Sequence, residues 1–360
     1  MPCALCSVSE RCDESSFHLV PATADMGEVL SGVLAEHNIV FERQRNLITL
    51  AGPGDHARVV ALLRQVLSGP ERQAVSVLSA NGHEFPFPRP LDDWWRVFET
   101  GWFEDAMARS RFVTWFQPIV DSGERRVVAH ECLIRLPLGR VYGGREIVET
   151  ARVRAETRAF DSHVRSLSIR SAAAQSKDGV YFVNFAPSAI YNPESCLEAT
   201  MQSVKEAGLQ PENIVFEAVQ SGLVRDIPHL RRIADYLRRN GFGFSLDDVG
   251  IGTESFQLVR DIQPDYIKLD RSLVRNVEHP TYAATIRRLV ELADRFGAVP
   301  IAKGVETAQT MEDLWLLGLQ CMQGYLFGRP GPRISAPDRD LFNLAQALDQ
   351  TAVPELVAVN

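Results

Sequence analysis

Between Phe112 and Leu326 the chain carries eight short apolar runs: Phe112–Ile119, Val127–Leu133, Val180–Asn184, Ile214–Glu217, Gly243–Asp247, Tyr266–Asp270, Ala298–Ala302 and Gln320–Leu326. Most are separated by helical patterns such as Arg145–Glu156, Leu230–Arg239 and Ala283–Phe296. Alternation of short buried strands with amphipathic helices predicts an α/β fold, a TIM-like (β/α)8 barrel, over residues 111–335. Polar residues at the ends of those strands then mark the active face, because such barrels place their sites at the carboxyl ends of the strands.

A chain of 360 residues is about twice the usual domain size and leaves room for a second unit. Over residues 1–80, an apolar run at Phe17–Pro21 is followed by an amphipathic stretch at Met26–Glu36 and strands at Ile39–Glu42 and Leu47–Ala51. A helix at His56–Leu67 and a strand at Ala74–Leu78 complete the series. Strand, helix, strand, strand, helix, strand is the order of a ferredoxin-like split βαβ unit, with another small α+β fold as the alternative. The three prolines of Asn81–Pro90 predict a linker over 81–90. Residues 91–110 read as a helix capped by Asp92, with Trp94, Trp95, Phe98, Trp102 and Phe103 on one face, expected to pack on the barrel or on a second subunit. Residues 336–360 read as a C-terminal helix and tail.

The net charge of −8, from 46 acidic and 38 basic side chains, repels polyanions, so no nucleic-acid polymer is expected as a partner. A small phosphate ligand remains open to the chain through local cations or a metal. No stretch approaches the roughly 18 to 20 apolar residues of a bilayer-spanning helix. The start, MPCALCSVSERCDESS, lacks the basic and apolar segments of a secretory signal, so no membrane association and a cytoplasmic location are expected. Near that terminus Cys3, Cys6 and Cys12, with His18, could supply four soft ligands to zinc; free thiols on a loose terminus are the plainer reading.

Glu131, Asn184, Glu217 and the pair Asp247–Asp248 fall where the predicted strands end. Each alone reads as a capping or surface residue. Converging in a partly buried site, carboxylates repel one another and take up protons unless a divalent cation holds them, so together they point to metal.

The residues around these acids give a more specific reading. Phe116-Gln117-Pro118-Ile119, Glu131-Cys132-Leu133, Val183-Asn184, Phe216-Glu217, Leu246-Asp247-Asp248, Ile267-Lys268-Leu269-Asp270, Ala302-Lys303-Gly304-Val305-Glu306 and Gln323-Gly324-Tyr325 follow in order over some 215 residues. This series resembles the EAL family of cyclic-di-GMP phosphodiesterases, with ECL where the family has EAL. The resemblance implies hydrolysis of cyclic di-GMP to the linear dinucleotide by two ions, Mg2+ or Mn2+. It also implies roles: Glu131, Asn184, Glu217 and Asp247 on the first ion, and Asp248 on the second. Lys268 orients water or phosphate, Arg135 grips the ligand phosphate, Gln117 lines the ligand pocket, and Gln323 supports the water network.

The departures from the family pattern bear on activity. Lys303 stands where the family's AEGVE segment places a glutamate on the second metal, which removes an oxygen ligand and puts a positive charge there. One ion is therefore expected, with the second site impaired, and the Lys303 ammonium is expected to neutralise Asp247 and Asp248. Asp247-Asp248-Val249-Gly250-Ile251-Gly252 replaces DDFGTG, and Gln220 replaces the glutamate that fastens that loop. Cys132 replaces a small alanine and is expected to be neutral.

Three functions remain open: a receptor that binds cyclic di-GMP with weak or no hydrolysis and reports to a protein partner through the amino-terminal domain; an active phosphodiesterase; and a scaffold that binds no nucleotide. A homodimer is compatible with each.

Overall fold

The computed structural model describes residues 17–50, 56–79, 88–219 and 226–335. They fall into two compact units. One holds the residues up to Phe112 together with Leu136–Phe160, and the other holds Val113–Arg135 and the residues from Asp161 onward.

In the first unit, strands β1 (Phe17–Pro21), β2 (Phe41–Gln44), β3 (Leu47–Leu50) and β4 (Val75–Ser79) form an antiparallel sheet in the order β2-β3-β1-β4. Helices Ala24–Glu36 and His56–Val66 make the crossovers, which gives the split βαβ connectivity. Alternate residues of β1 are buried, so Phe17 and Leu19 meet Leu30, Leu34, Val59 and Leu63 of the two helices in one core.

Two expectations change here. The end of the expected linker is a short strand, β5 (Arg89–Pro90), paired antiparallel with β4. Proline is tolerated there because β5 is the edge of the sheet and needs no further N–H donor. The aromatic stretch divides at Thr100 into helices Leu91–Glu99 and Gly101–Ala108. Trp94 donates its indole N–H to Val77 O at 3.3 Å and lies edge-on to Phe17 at 5.5 Å, so the first helix completes the small core. The second buries Phe103 against Phe112 and Phe160.

The second unit is a closed eight-stranded barrel. Strand β6 (Val113–Asp121) turns directly into β7 (Arg126–Leu138), whose last residues belong to the first unit and pair there with the short β8 (Arg140–Tyr142). Strands β9 (Tyr181–Phe185), β10 (Ile214–Ala218), β11 (Gly243–Val249), β12 (Tyr266–Leu269), β13 (Val299–Lys303) and β14 (Cys321–Gln323) follow in parallel from β7, and β14 closes on β6. β6 runs antiparallel to both neighbours, unlike a uniform (β/α)8 barrel. The reason is local: the turn from Asp121 to Arg126 is too short for a crossover helix and permits only a hairpin.

Burial follows the two-residue period of the strands. Phe216, Phe244, Leu246 and Ile267 face outward into a core with Ile233, Leu237, Val259, Ile286 and Leu289 of the surrounding helices. Ile119, Ala129, Phe182, Val215 and Ile301 pack together inside the barrel. Two residues further along β7, β9, β10 and β13, the same inward face carries Glu131, Asn184, Glu217 and Lys303, so a polar layer caps the apolar plug.

No helix among the described residues is long and apolar enough to cross a membrane. Cys3, Cys6, Cys12, Gln220, residues 81–87 of the expected linker and the tail from 336 lie outside the described residues.

Candidate ligand and metal site

Strand register gathers the polar layer. Glu131 lies opposite Gln117 on β6 and Phe182 on β9, while Asn184 neighbours Glu217. Lys303 lies beside Gln323. Asn184, Glu217, Lys268, Lys303 and Gln323 are each the last or next-to-last residue of their strand, at the mouth where barrel sites form.

Glu131 is held from three sides. Its Oε1 accepts from Asn184 Nδ2 at 3.0 Å, and its Oε2 accepts from Lys268 Nζ at 2.9 Å and Gln323 Nε2 at 2.7 Å. Burial alone would raise its pKa, but the Lys268 charge and these donors outweigh burial and hold it at about 2. Asn184 is oriented as well, since Nδ2 also donates to Cys132 O at 3.3 Å. Gln117 accepts from Gln323 Nε2 through Oε1 and donates to Gly328 O, tying β6 into the layer.

Lys268 is fully buried and stands between two carboxylates. Besides Glu131, its Nζ lies 2.6 Å from Glu217 Oε2 and 4.9 Å from the Phe182 ring centre. Burial would lower the lysine pKa; Glu131, Glu217 and Asp247 together raise it, so the ammonium stays charged. One cation cannot satisfy two buried acids equally. Glu131 has the additional donors, whereas Glu217 has the Lys268 ammonium at Oε2 and nothing at Oε1, and burial pushes Glu217 up to about 8. Ser245 Oγ and Gln323 Oε1 are also buried without a hydrogen-bond partner. Buried unsatisfied acceptors gathered at one mouth are what a ligand or ion would satisfy.

The second lysine closes the other side. β11 is irregular between Leu246 and Val249, and Asp248 adopts φ of 53°, a left-handed conformation that is uncommon outside glycine and that bulges use to redirect side chains. Lys303 Nζ donates to both Asp247 Oδ1 and Asp248 Oδ1. Burial works against the ammonium, but the two aspartates more than offset it and its pKa rises. Asp247 is pushed up by burial, against the pull of Lys303.

The donor set discriminates between two metal positions. At Asp248 an ammonium already bridges the aspartates, so the residues there do not fit a second cation. At Glu217 the Lys268 ammonium already reaches Oε2, and the buried, partnerless Oε1 is the atom open to a cation. Among the described residues no three His, Cys, Asp or Glu side chains converge in a metal-holding geometry, and Lys268 and Lys303 each stand between two of the acids.

The remaining expected residues are placed as follows. Arg135 is half-buried at the outer part of β7, its guanidinium 5.5 Å from the Trp115 ring. Cys132 faces outward into the core, and burial pushes its thiol far up, so it is a buried hydrophobe and not a nucleophile. His18 lies on the small sheet, its Nδ1 2.9 Å from Thr49 Oγ1.

Gly324 explains part of the Gln323-Gly324-Tyr325 run. Added there, a Cβ would stand 1.9 Å from Val305 O, and the same backbone exchanges hydrogen bonds through Val305 N to Gln323 O and Leu326 N to Val305 O. Sequence reasoning passed over Asp161 and Arg165, a buried ion pair on helix Thr157–Gln175. The available signal was two charges four residues apart on the helix face that also carries Ile169 and Ala172.

Comparison with known proteins agrees with this geometry. The EAL domain profile matches residues 101–330. The probable cyclic di-GMP phosphodiesterase PdeI of Escherichia coli is 28% identical over 230 residues, covering 60% of this chain and 28% of that protein. The blue light- and temperature-regulated antirepressor BluF of E. coli is 25% identical over 272 residues, covering 70% and 65%. A standalone versatile EAL protein from Vibrio cholerae O395, solved in a c-di-GMP bound form, superposes with a TM-score of 0.58 at 28% identity, covering 64% of this chain and 97% of that one. The chain spans about a third or less of the length of most curated relatives it matches. With the profile spanning most of the chain and the barrel, its antiparallel first strand and the polar mouth all in place, this chain belongs to the EAL domain family.

Proposed function

We propose that the chain is a cyclic-di-GMP receptor that holds the dinucleotide at the barrel mouth with weak or no hydrolysis. The observation that carries this reading is the Lys303 ammonium bridging Asp247 and Asp248. Two-ion hydrolysis needs a cation at that position to generate the nucleophile or stabilise developing charge. A lysine supplies charge there but no open coordination site for water. The dinucleotide phosphates instead meet Arg135, Lys268 and Lys303, three cations set against the carboxylates.

A single Mg2+ or Mn2+ would be held by Glu131, Asn184, Glu217 and Asp247, where it would act as a Lewis acid on a phosphate oxygen. Gln117 and Gln323 fix the orientation of Glu131 around it. In this reading the protein works in the cytoplasm and reports occupancy to a protein partner through the small α+β unit.

A working phosphodiesterase is the second reading, favoured by the partnerless Glu217 Oε1 and the charged Lys268. Titration calorimetry with cyclic di-GMP, with and without Mn2+, separates the readings when the recovered nucleotide is then analysed. Heat with intact nucleotide supports the receptor, heat with linear product the enzyme, and no heat rejects both.

A further inference from the structure

Asp161 and Arg165 are oppositely charged and almost fully buried, at 5% and 1% exposed. They form an ion pair one turn apart on helix Thr157–Gln175, on the outside of the barrel. Such a pair is a weak stabiliser, since apolar side chains of similar volume hold a core as well or better. What it supplies is direction.

Its partners mark the place that it fixes. Asp161 Oδ1 accepts from Ala186 N at 2.8 Å, and Ala186 is the first residue beyond β9, two past Asn184. Arg165 donates through Nε to Thr200 Oγ1 at 3.2 Å and through Nη2 to Cys196 O at 3.3 Å. The pair therefore grips the segment leaving the barrel after β9 where it departs and again at the junction of its helices Pro193–Cys196 and Glu198–Ala207.

We infer that Asp161, held by Arg165, is the positioning residue for Asn184: by fixing Ala186 N it sets how far β9 extends and so keeps the Asn184 amide on Glu131 and Cys132. No substitution or ligand contact at either residue is needed for this role, which acts through the backbone. The inference rests on the proposed part of Asn184 in the cyclic-di-GMP pocket, and one arm of its test does not require that ligand.

Two double variants isolate the acceptor from the charge. Asp161→Ala with Arg165→Met removes both the ion pair and the acceptor for Ala186 N; Asp161→Asn with Arg165→Met removes the ion pair but keeps an acceptor oxygen. Both avoid leaving an unpaired buried charge, and unfolding midpoints establish that each folds. Hydrogen exchange of the Asn184 side-chain amide, assigned by its loss in Asn184→Asp, is read in ligand-free protein, and cyclic-di-GMP affinity is read by calorimetry.

The inference expects the alanine variant to exchange about tenfold faster and to bind cyclic di-GMP about tenfold more weakly, as for loss of one buried hydrogen bond, while the asparagine variant stays near wild type. Equal behaviour of the two variants in the exchange experiment overturns it. Absence of any binding heat in the wild type would count against the receptor reading and leave the exchange result to decide this one.

Discussion

Lys303 Nζ stands 2.5 Å from Asp248 Oδ1 and reaches Asp247 as well, so one side chain of β13 closes the irregular end of β11. Replacing Lys303 with glutamate changes a charge of +1 to −1 beside two carboxylates. Mn2+ affinity, measured by calorimetry or by the loss of the free-ion resonance signal, should rise at least about tenfold, and one more ion should bind. Unchanged stoichiometry would mean that the ammonium does not occupy a metal position.

Glu217 sets a pH dependence. Its folded-state value, about 8, lies above its ordinary value of 4.5, so its contribution to stability is full below pH 4.5 and is lost as pH rises toward 8. Glu131 behaves oppositely: held at about 2, it contributes above 4.5 and loses that contribution only in strong acid. In metal-free protein the urea midpoint should therefore fall between about pH 5 and pH 8, and Glu217→Gln should flatten that slope. A wild-type slope unaffected by the substitution would place the titration elsewhere.

Gly324→Ala should be severe although it adds one methyl group. The new Cβ meets the Val305 backbone, which cannot move without breaking its bonds to Gln323 and Leu326. A loss of more than about 2 kcal/mol is expected in equilibrium unfolding, as for overpacking against fixed backbone. A neutral result would show that the two segments separate easily.

Arg135→Ala tests ligand recognition apart from stability. Among the described residues the guanidinium donates to its own neighbour's carbonyl, Ile134 O, and lies over the Trp115 ring, so the unfolding midpoint should shift little. Cyclic-di-GMP affinity should fall by about tenfold or more, the worth of a charge-assisted phosphate contact. Unaltered affinity would remove Arg135 from the pocket.

The sequence made the barrel legible because its strands are continuous apolar runs, and the site because acids and amides recur at strand ends. The Lys303 charge reversal was visible in the same way, one residue against a pattern. Direction of pairing was not read: β6 turns antiparallel because of a short hairpin, a constraint that apolar periodicity does not carry. β5 has only two residues, too few for any period. That Lys268 lies between Glu131 and Glu217 depends on the register of three separate strands, and the Asp161 contact to Ala186 depends on how a helix lies against a strand end. Neither relationship is local in sequence.

The central claim is that a lysine in place of a metal ligand leaves a pocket that binds without cutting. Incubation of the wild-type protein with cyclic di-GMP and Mn2+, followed by chromatography of the nucleotide, tests it most directly. The account predicts that the cyclic dinucleotide is recovered intact or nearly so; rapid, Mn2+-dependent appearance of the linear dinucleotide would contradict it.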